Sequence, residues 1–138
     1  MEQASSLSGC SVLITGAAGR LGSEAAIQSF SAGAKVILTD IDEEPLSRLN
    51  KYLVDIDSER VYCIAEDLSS DEGLDILCRK INSMVGFLDG AVHCAYPRSD
   101  GWGKPFEDLI AANLFSDLNN QLGGAILLSK KILNLFQQ

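Results

Sequence analysis

Basic residues are scarce in this sequence. Lys and Arg number 11 against 19 Asp and Glu, which gives a formal net charge of -8. No run of basic residues is longer than a pair such as Lys130–Lys131. Because an excess of negative charge repels the phosphates of nucleic acids and of anionic lipids, we expect neither a nucleic acid nor a membrane surface among the partners of this protein.

Closely spaced metal ligands and long apolar runs are also missing. His93 is the only histidine, and Cys10, Cys63, Cys78 and Cys94 form no Cys-x-x-Cys pair. We therefore predict no metal site, and free, mostly buried thiols. The amino terminus lacks the pattern of a signal peptide, and no run reaches the ~18 apolar residues that a membrane helix needs. These features predict a cytoplasmic protein.

What the sequence does contain is a regular alternation of short apolar segments and helical segments. With 138 residues, 46% of them hydrophobic, it has enough material for one folded domain over residues 1–138. The patterns predict strands over 10–15, 35–39, 61–65 and 88–95, with helices between them and a last helix from about 106 to the end, bent near 123–124. Alternating strands and helices predict an α/β fold with an open, doubly wound parallel sheet (Rossmann-like), in the order 3-2-1-4 and truncated after the fourth helix.

Capping residues and apolar stripes locate two of the helices. We expect Asp42 to cap the second helix, whose stripe of leucines extends to Ile56. Ser69, with Glu72 three residues later, resembles a capping box that opens the third helix, whose stripe extends to Met84.

Three glycines stand where the first predicted strand passes into the first predicted helix. The stretch Thr15-Gly-Ala-Ala-Gly-Arg-Leu-Gly22 places Gly16, Gly19 and Gly22 three residues apart. Glycines here permit a tight turn, bring backbone N–H groups close to a pyrophosphate and let the helix pack on the sheet, while the helix N-terminus offers partial positive charge. The strand, turn and helix together indicate dinucleotide binding. The alternatives are a purely structural turn and a mononucleotide site.

An acidic residue follows at the position where NAD-binding proteins hold the adenosine ribose. Asp40 ends the second predicted strand, 24 residues after Gly16. A carboxylate there favours NAD and makes NADP less favourable, because a 2′-phosphate would meet a like charge. Arg20, beside the turn, complicates this preference because it can pair with a phosphate. The alternative role for Asp40 is that of a turn aspartate before the next helix.

With these residues in place, the chain resembles the amino-terminal half of the short-chain dehydrogenase/reductase family. The turn is similar to the Thr-Gly-x-x-Gly-x-x-Gly form of the family's cofactor turn, and Asp67-Leu68 resembles the Asp-Leu pair that contacts adenine. A helix-capping loop residue is the alternative for Asp67. The residues that the resemblance and the spacing indicate for cofactor binding are Gly16, Ala18, Gly19, Arg20, Leu21, Gly22, Asp40, Ile41, Asp67, Leu68 and Ala95.

Two segments depart from the family's pattern. Where the family has Asn-Asn-Ala-Gly after strand four, this chain has His93-Cys94-Ala95-Tyr96, and only the alanine is shared. We interpret His93 as a packed strand residue rather than a catalyst. In the last helix, the slot of the family's active-site asparagine holds Gln121, so that role is not carried over.

The family's catalytic Tyr-x-x-x-Lys pair is absent from the sequence. The residues four positions after its three tyrosines are Ile56, Glu66 and Asp100. The resemblance thus implies the NAD-binding portion of an oxidoreductase that transfers hydride between nicotinamide and a carbonyl or alcohol substrate, with no catalytic residue assigned here and no activity alone. The alternative is a non-catalytic nucleotide-sensing or protein-interaction module, and a homo-oligomer remains open.

The loop after the fourth strand suggests a narrower resemblance. The segments Tyr96-Pro-Arg and Gly101-Trp-Gly, followed by Phe106-Glu-Asp-Leu, are similar to a subset of the family linked to surface-sugar and flagellin-glycan biosynthesis. This resemblance implies a sugar derivative as the small substrate. A loop at the carboxyl edge of the sheet lies where a substrate binds, although an ordinary long connection has the same composition.

Overall fold

The fold comes from a computed structural model that describes residues 6–136. Four strands alternate with helices along the chain. The strands are β1 (Ser11–Thr15), β2 (Lys35–Asp40), β3 (Val61–Ala65) and β4 (Gly90–His93). The helices are α1 (Arg20–Ser31), α2 (Glu43–Val54), α3 (Asp71–Met84), α4 (Ala111–Leu118) and α5 (Gly124–Ile132).

The strands form one parallel sheet in the order β3-β2-β1-β4. This order confirms the predicted Rossmann-like topology, because the chain leaves β1 toward β2 and β3 and then crosses back to place β4 on the other side of β1. All five residues of β1 are buried. In β1, Thr15 lies opposite Thr39 of β2 and opposite His93 of β4. The carboxyl ends of the strands therefore meet at one edge.

Helices cover both faces of the sheet and divide the apolar core into two clusters. Successive residues of a strand point to opposite faces. Ile14 therefore packs with Phe30 of α1 and with leucines of α2, whereas Leu13 packs with Leu77 of α3 and Leu128 of α5. Because β1 is packed on both faces, the residues at its carboxyl end are held in fixed positions.

Arg60, in the turn before β3, connects that turn to the end of α1. Its guanidinium lies 4.0 Å from the centre of the Phe30 ring. It also donates to the backbone oxygens of Phe30 (2.9 Å) and Ala34 (3.1 Å) and to the carboxylate of Asp57 (2.7 Å). Since Phe30 lies in the last turn of α1 and Ala34 directly before β2, this arginine fastens the turn before β3 to both elements.

Three details of the predicted helices were wrong. Helix α2 ends before Ile56, which is exposed. Asp42 does occupy the predicted N-cap position of α2, although its side chain makes no capping hydrogen bond. In α3 the capping residue is Ser70, whose hydroxyl accepts from Gly73 N at 3.0 Å, and not Ser69. The cap moves one residue because the Asp67 side chain accepts from Ser69 N at 2.9 Å, which extends the preceding turn. Met84, at the end of the α3 stripe, is exposed.

The last helical region is interrupted rather than continuous. A 3-10 turn over Phe106–Asp108 precedes α4, and a π-helical segment over Asn119–Gly123 joins α4 to α5. The predicted bend near residues 123–124 corresponds to this π-helical segment. Such segments shift the register of a helix and recur at functional sites. Here it brings Asn120 to the wall of the cavity described below.

Candidate functional site

A cavity of about 1150 Å³ opens at the carboxyl ends of the strands. All eleven residues predicted from the sequence line it: Gly16, Ala18, Gly19, Arg20, Leu21, Gly22, Asp40, Ile41, Asp67, Leu68 and Ala95. They come from four separate segments of the chain, which the parallel sheet brings together because each follows the carboxyl end of a strand. The size of the cavity exceeds the 300–1,000 Å³ that is usual for small-molecule sites, as an extended ligand requires.

Two glycines of the turn have no room for a side chain. Gly16 has a φ of +63°, and a Cβ built on it would lie 2.5 Å from Ala95 N. A Cβ on Gly22 would lie 2.0 Å from the carbonyl oxygen of Gly16. The left-handed conformation of the first glycine turns the chain sharply, and the bare Cα of Gly22 lets α1 begin directly against that turn.

The beginning of α1 has unpaired backbone donors at this cavity. Its N-cap residue, Gly19, has no side chain to cap the helix, and the first backbone bond is from Ser23 N to Gly19 O at 2.9 Å. Within residues 6–136, the amides of Arg20, Leu21 and Gly22 have no hydrogen-bond acceptor. Three free N–H groups and the positive end of the helix dipole suit an anionic group such as a phosphate.

Asp40 lies between the glycine turn and the loop after β2. One carboxylate oxygen accepts from Ala18 N at 2.8 Å, and the other accepts from Asp42 N at 3.1 Å. The bond to Asp42 agrees with the role of a turn aspartate, and the bond to Ala18 links this carboxylate to the glycine turn. Its position on the cavity wall also leaves it available to a hydroxyl of a ligand, so the two roles are compatible.

Asp67, which follows β3, likewise combines a hydrogen bond within its loop with a place on the cavity wall. Its side chain accepts from Ser69 N at 2.9 Å, as the loop-residue alternative requires, while Asp67 and Leu68 both line the cavity. The neighbouring Glu66 lies 3.7 Å from Lys80 of α3. The loop is therefore fixed by its own hydrogen bonds at the place where the resemblance puts the adenine contact.

At the end of β4 the structure shows a hydrogen-bonded group that the sequence analysis missed. The hydroxyl of Thr15, which is fully buried, lies 2.7 Å from His93 Nδ1 and accepts from Ala95 N at 3.3 Å. Burial lowers the pKa of His93. His93 is the last residue of β4, as its interpretation as a strand residue requires, but it is exposed on the cavity wall rather than packed. Since Thr15 and His93 are 78 residues apart, only the strand register could have revealed the pair.

The loop after β4 closes one side of the cavity and is fastened to the helices behind it. Asp117 of α4 accepts from the backbone N (2.6 Å) and the hydroxyl (2.9 Å) of Ser99. Gln121, in the π-helical segment, donates to the backbone oxygen of Pro97 at 3.0 Å. Gln121 thus holds the loop, a role that the family resemblance did not predict for this position.

All four cysteines are free, as predicted, but they are half-buried rather than mostly buried. Among residues 6–136, no three His, Cys, Asp or Glu side chains cluster closely enough to hold a metal ion. None of the helices in that range is long and apolar enough to cross a membrane.

The parallel sheet, the glycine turn and the cavity at the strand ends together define a Rossmann-type α/β fold. A family model described as short chain dehydrogenase matches residues 11–138. The chain belongs to the short-chain dehydrogenase family. This finding confirms the family resemblance that the turn and the strand ends indicated.

Individual relatives agree with this assignment. The chain is 27% identical over 128 residues to the post-translational flagellin modification protein A of Campylobacter coli, covering 92% of this chain and 50% of the relative. A glucose/ribitol dehydrogenase of the family from Brucella melitensis superposes with a TM-score of 0.85 at 26% identity, over 96% of this chain and 54% of the other. A short-chain dehydrogenase from Shigella flexneri 2a str. 301, complexed with NADP, superposes with a TM-score of 0.83 at 24% identity, over 96% of this chain and 56% of the other.

The relatives also bear on the narrower resemblance and on how much of a whole enzyme the chain covers. The predicted resemblance to the flagellin-modification subset is matched by the Campylobacter coli relative. The chain spans about half the length of the relatives that it matches. The family and the fold are therefore shown for residues 11–138, and any activity of a whole enzyme is a proposal.

Proposed function

We propose that this chain is the NAD-binding portion of a short-chain dehydrogenase. The observation that carries the proposal is the combination of three free amides at the start of α1 with the carboxylate of Asp40, both on one cavity wall. In this proposal the pyrophosphate binds the amides of Arg20, Leu21 and Gly22. The glycine turn fits the group because Gly16 and Gly22 let the chain turn tightly and let α1 begin directly against that turn, which brings its free amides to the cavity.

The remaining predicted residues are assigned to the adenosine and to the start of the nicotinamide half. Asp40 accepts hydrogen bonds from the ribose hydroxyls, with Ile41 beside it. Asp67 and Leu68 contact the adenine ring. Ala95, at the end of β4, borders the far half of the cofactor, because β4 lies on the other side of β1 from β2 and β3.

NAD is favoured over NADP by charge. A 2′-phosphate would lie against the Asp40 carboxylate, and like charges placed together in a partly desolvated site cost several kcal/mol. Arg20 acts in the opposite direction, because it lines the same cavity and a guanidinium attracts phosphate. The charge of Asp40 is the better fixed of the two, because two backbone amides hold its carboxylate, whereas within residues 6–136 nothing hydrogen-bonds the Arg20 side chain.

When bound, the nicotinamide supplies or accepts a hydride. We propose a small carbonyl or alcohol, such as a sugar derivative, as the substrate, and the cytoplasm as the location. The sequence holds no Tyr-x-x-x-Lys pair, so we propose that residues 1–138, taken as one dinucleotide-binding domain, bind cofactor without transferring hydride by themselves. A steady-state assay with NAD and simple polyols should then show no turnover above the buffer rate.

Calorimetric titration of the full chain with NAD⁺ and NADP⁺ tests cofactor binding. We expect tighter binding of NAD⁺, by about tenfold or more, since each 1.4 kcal/mol is a factor of ten. Asp40→Asn should shrink that preference by removing the repelling charge. The matched control is Asp55→Asn, which changes an exposed aspartate at the end of α2 and should leave both affinities unchanged. Failure of both dinucleotides to bind would refute the proposal.

A second function, that of a nucleotide-sensing or interaction module, is favoured by one observation. Exposed apolar side chains concentrate around α4, where Phe106 is 88%, Ile110 57% and Phe115 66% exposed. Exposed patches of this kind commonly mark protein contacts, including contacts with a second copy. Light scattering with and without NAD⁺ separates the two functions, because a sensing module should change its association state when the nucleotide binds.

A further inference from the structure

The hydrogen-bond partners at the end of β4 favour one arrangement of hydrogens. The Thr15 oxygen accepts the N–H of Ala95 and carries one hydrogen of its own, which needs an acceptor because Thr15 is fully buried. Among residues 6–136, the acceptor within reach is His93 Nδ1 at 2.7 Å. Nδ1 must therefore lack a hydrogen, and the ring is neutral with its proton on Nε2.

Protonation of His93 would break this arrangement. A charged imidazole carries hydrogens on both nitrogens, so Nδ1 would turn from acceptor to donor. The Thr15 hydroxyl hydrogen would then have no partner in a buried position, which is a costly state. Rotation of the hydroxyl to relieve it would disturb the bond that holds the Ala95 amide.

We propose that neutral His93 is a positioning residue, which acts through Thr15 to hold the Ala95 backbone at the cavity wall and releases it when protonated. Because Ala95 lines the cavity directly after β4 and its backbone N lies next to Gly16 of the glycine turn, release weakens dinucleotide binding. This second consequence rests on the proposed function, whereas the positioning of Ala95 does not.

The surroundings of His93 support control by this one hydrogen bond rather than by a nearby charge. Its lowered pKa has burial as its cause. In the sheet, β1 separates β4 from the strands that carry the acidic residues. The titratable and charged groups lining the same cavity are Arg20 from α1, Asp40 and Asp42 after β2, Glu66 and Asp67 after β3, and Cys94, Tyr96 and Arg98 after β4. The π-helical segment and α5 contribute no charged side chain to it.

Nuclear magnetic resonance on the full chain tests the positioning role without any cofactor. His93 is the only histidine, so its imidazole nitrogen signals need no assignment. We expect the Nε2–H tautomer at pH 7.5, a midpoint below the ordinary value of about 6.5, and an Ala95 amide shift with the same midpoint. Thr15→Val should abolish the tautomer preference and the coupling to Ala95, and Thr15→Ser should restore both. An Nδ1–H tautomer, or an Ala95 amide that ignores the histidine titration, would overturn the proposal.

Calorimetry with NAD⁺ at pH 7.5 and 5.5 tests the consequence for binding. Because the pKa of His93 lies below its ordinary value of about 6.5, the loss of affinity at pH 5.5 is bounded at about tenfold, and we expect a measurable loss within that bound. In His93→Asn, an amide oxygen that does not titrate takes the place of Nδ1. The affinity of this variant for NAD⁺ should therefore differ by less than about twofold between pH 7.5 and pH 5.5. An equal loss in His93→Asn would overturn the role in binding. Absence of binding at both pH values would overturn the proposed function, and the Ala95 signal would still decide the positioning role.

Discussion

The close contact between α1 and the glycine turn gives the sharpest test of the site's construction. In Gly22→Ala, the added carbon would lie 2.0 Å from the Gly16 carbonyl oxygen, 2.7 Å from its carbonyl carbon and 2.9 Å from the Cα of Ala17. The ordinary closest approach of carbon to oxygen is about 3.3 Å. All three contacts are with backbone, so the start of α1 has to move by more than about 1 Å. The movement displaces the free amides of its first turn.

The expected cost follows from overpacking. Extra carbons in a well-packed region cost about 1–3 kcal/mol, which for a chain of this size corresponds to a fall in Tm of about 4–12 °C. Displaced amides should also weaken NAD⁺ binding by about tenfold or more. Circular dichroism melting and calorimetry measure the two effects separately.

Gly124→Ala is the matched control for this substitution. Gly124 begins α5 with helical φ and ψ of -58° and -45°, and a Cβ built on it meets nothing within 4 Å. Replacement of a glycine by alanine in a helix stabilises by about 0.5–1 kcal/mol, so its Tm should rise by a few degrees. If Gly22→Ala melted at the same temperature as the unchanged chain and bound NAD⁺ equally well, the argument from close packing would be refuted.

Three further predictions concern other parts of the fold. Arg60→Met removes several hydrogen bonds and a cation–π contact near the end of α1, so it should lower the free energy of unfolding in urea by about 1–3 kcal/mol. The control Arg48→Met breaks one exposed ion pair and should lower it by less than about 1 kcal/mol. Burial raises the pKa of the Cys63 and Cys78 thiols, so iodoacetamide should modify both more slowly in the folded chain than in urea. Mass spectrometry of the digested protein measures the two rates, and equal rates would contradict the burial of these thiols. Because the folded pKa of His93 is lowered, its contribution to stability is present above about pH 6.5 and is lost as the pH falls toward the folded pKa, so Tm should fall less between pH 7.5 and 5.5 in His93→Asn than in the unchanged chain.

Features that depend on neighbouring residues were predictable from the sequence. The glycine turn is one example, because the spacing of Gly16, Gly19 and Gly22 and the strand and helix around them are all local. The sheet order was predictable for a different reason, since parallel strands joined by helices allow few right-handed arrangements. The position of Asp40 at the cavity followed from that order, because it ends the strand next to β1.

Details that depend on competing hydrogen bonds were not predictable. Ser69 and Ser70 are both suitable caps, and the choice of Ser70 depends on Asp67 binding the Ser69 amide. The half-burial of the cysteines depends on how closely the helices pack, which composition does not specify.

The sequence by itself therefore determined the class of fold and the segments that build the cavity, because periodicity and glycine spacing act over a few residues. Only the tertiary structure decided which side chains meet across strands. The hydrogen bond between Thr15 and His93 spans 78 residues and exists because the register of β1 with β4 places them opposite each other. A shift of one residue would have sent the imidazole to the other face of the sheet.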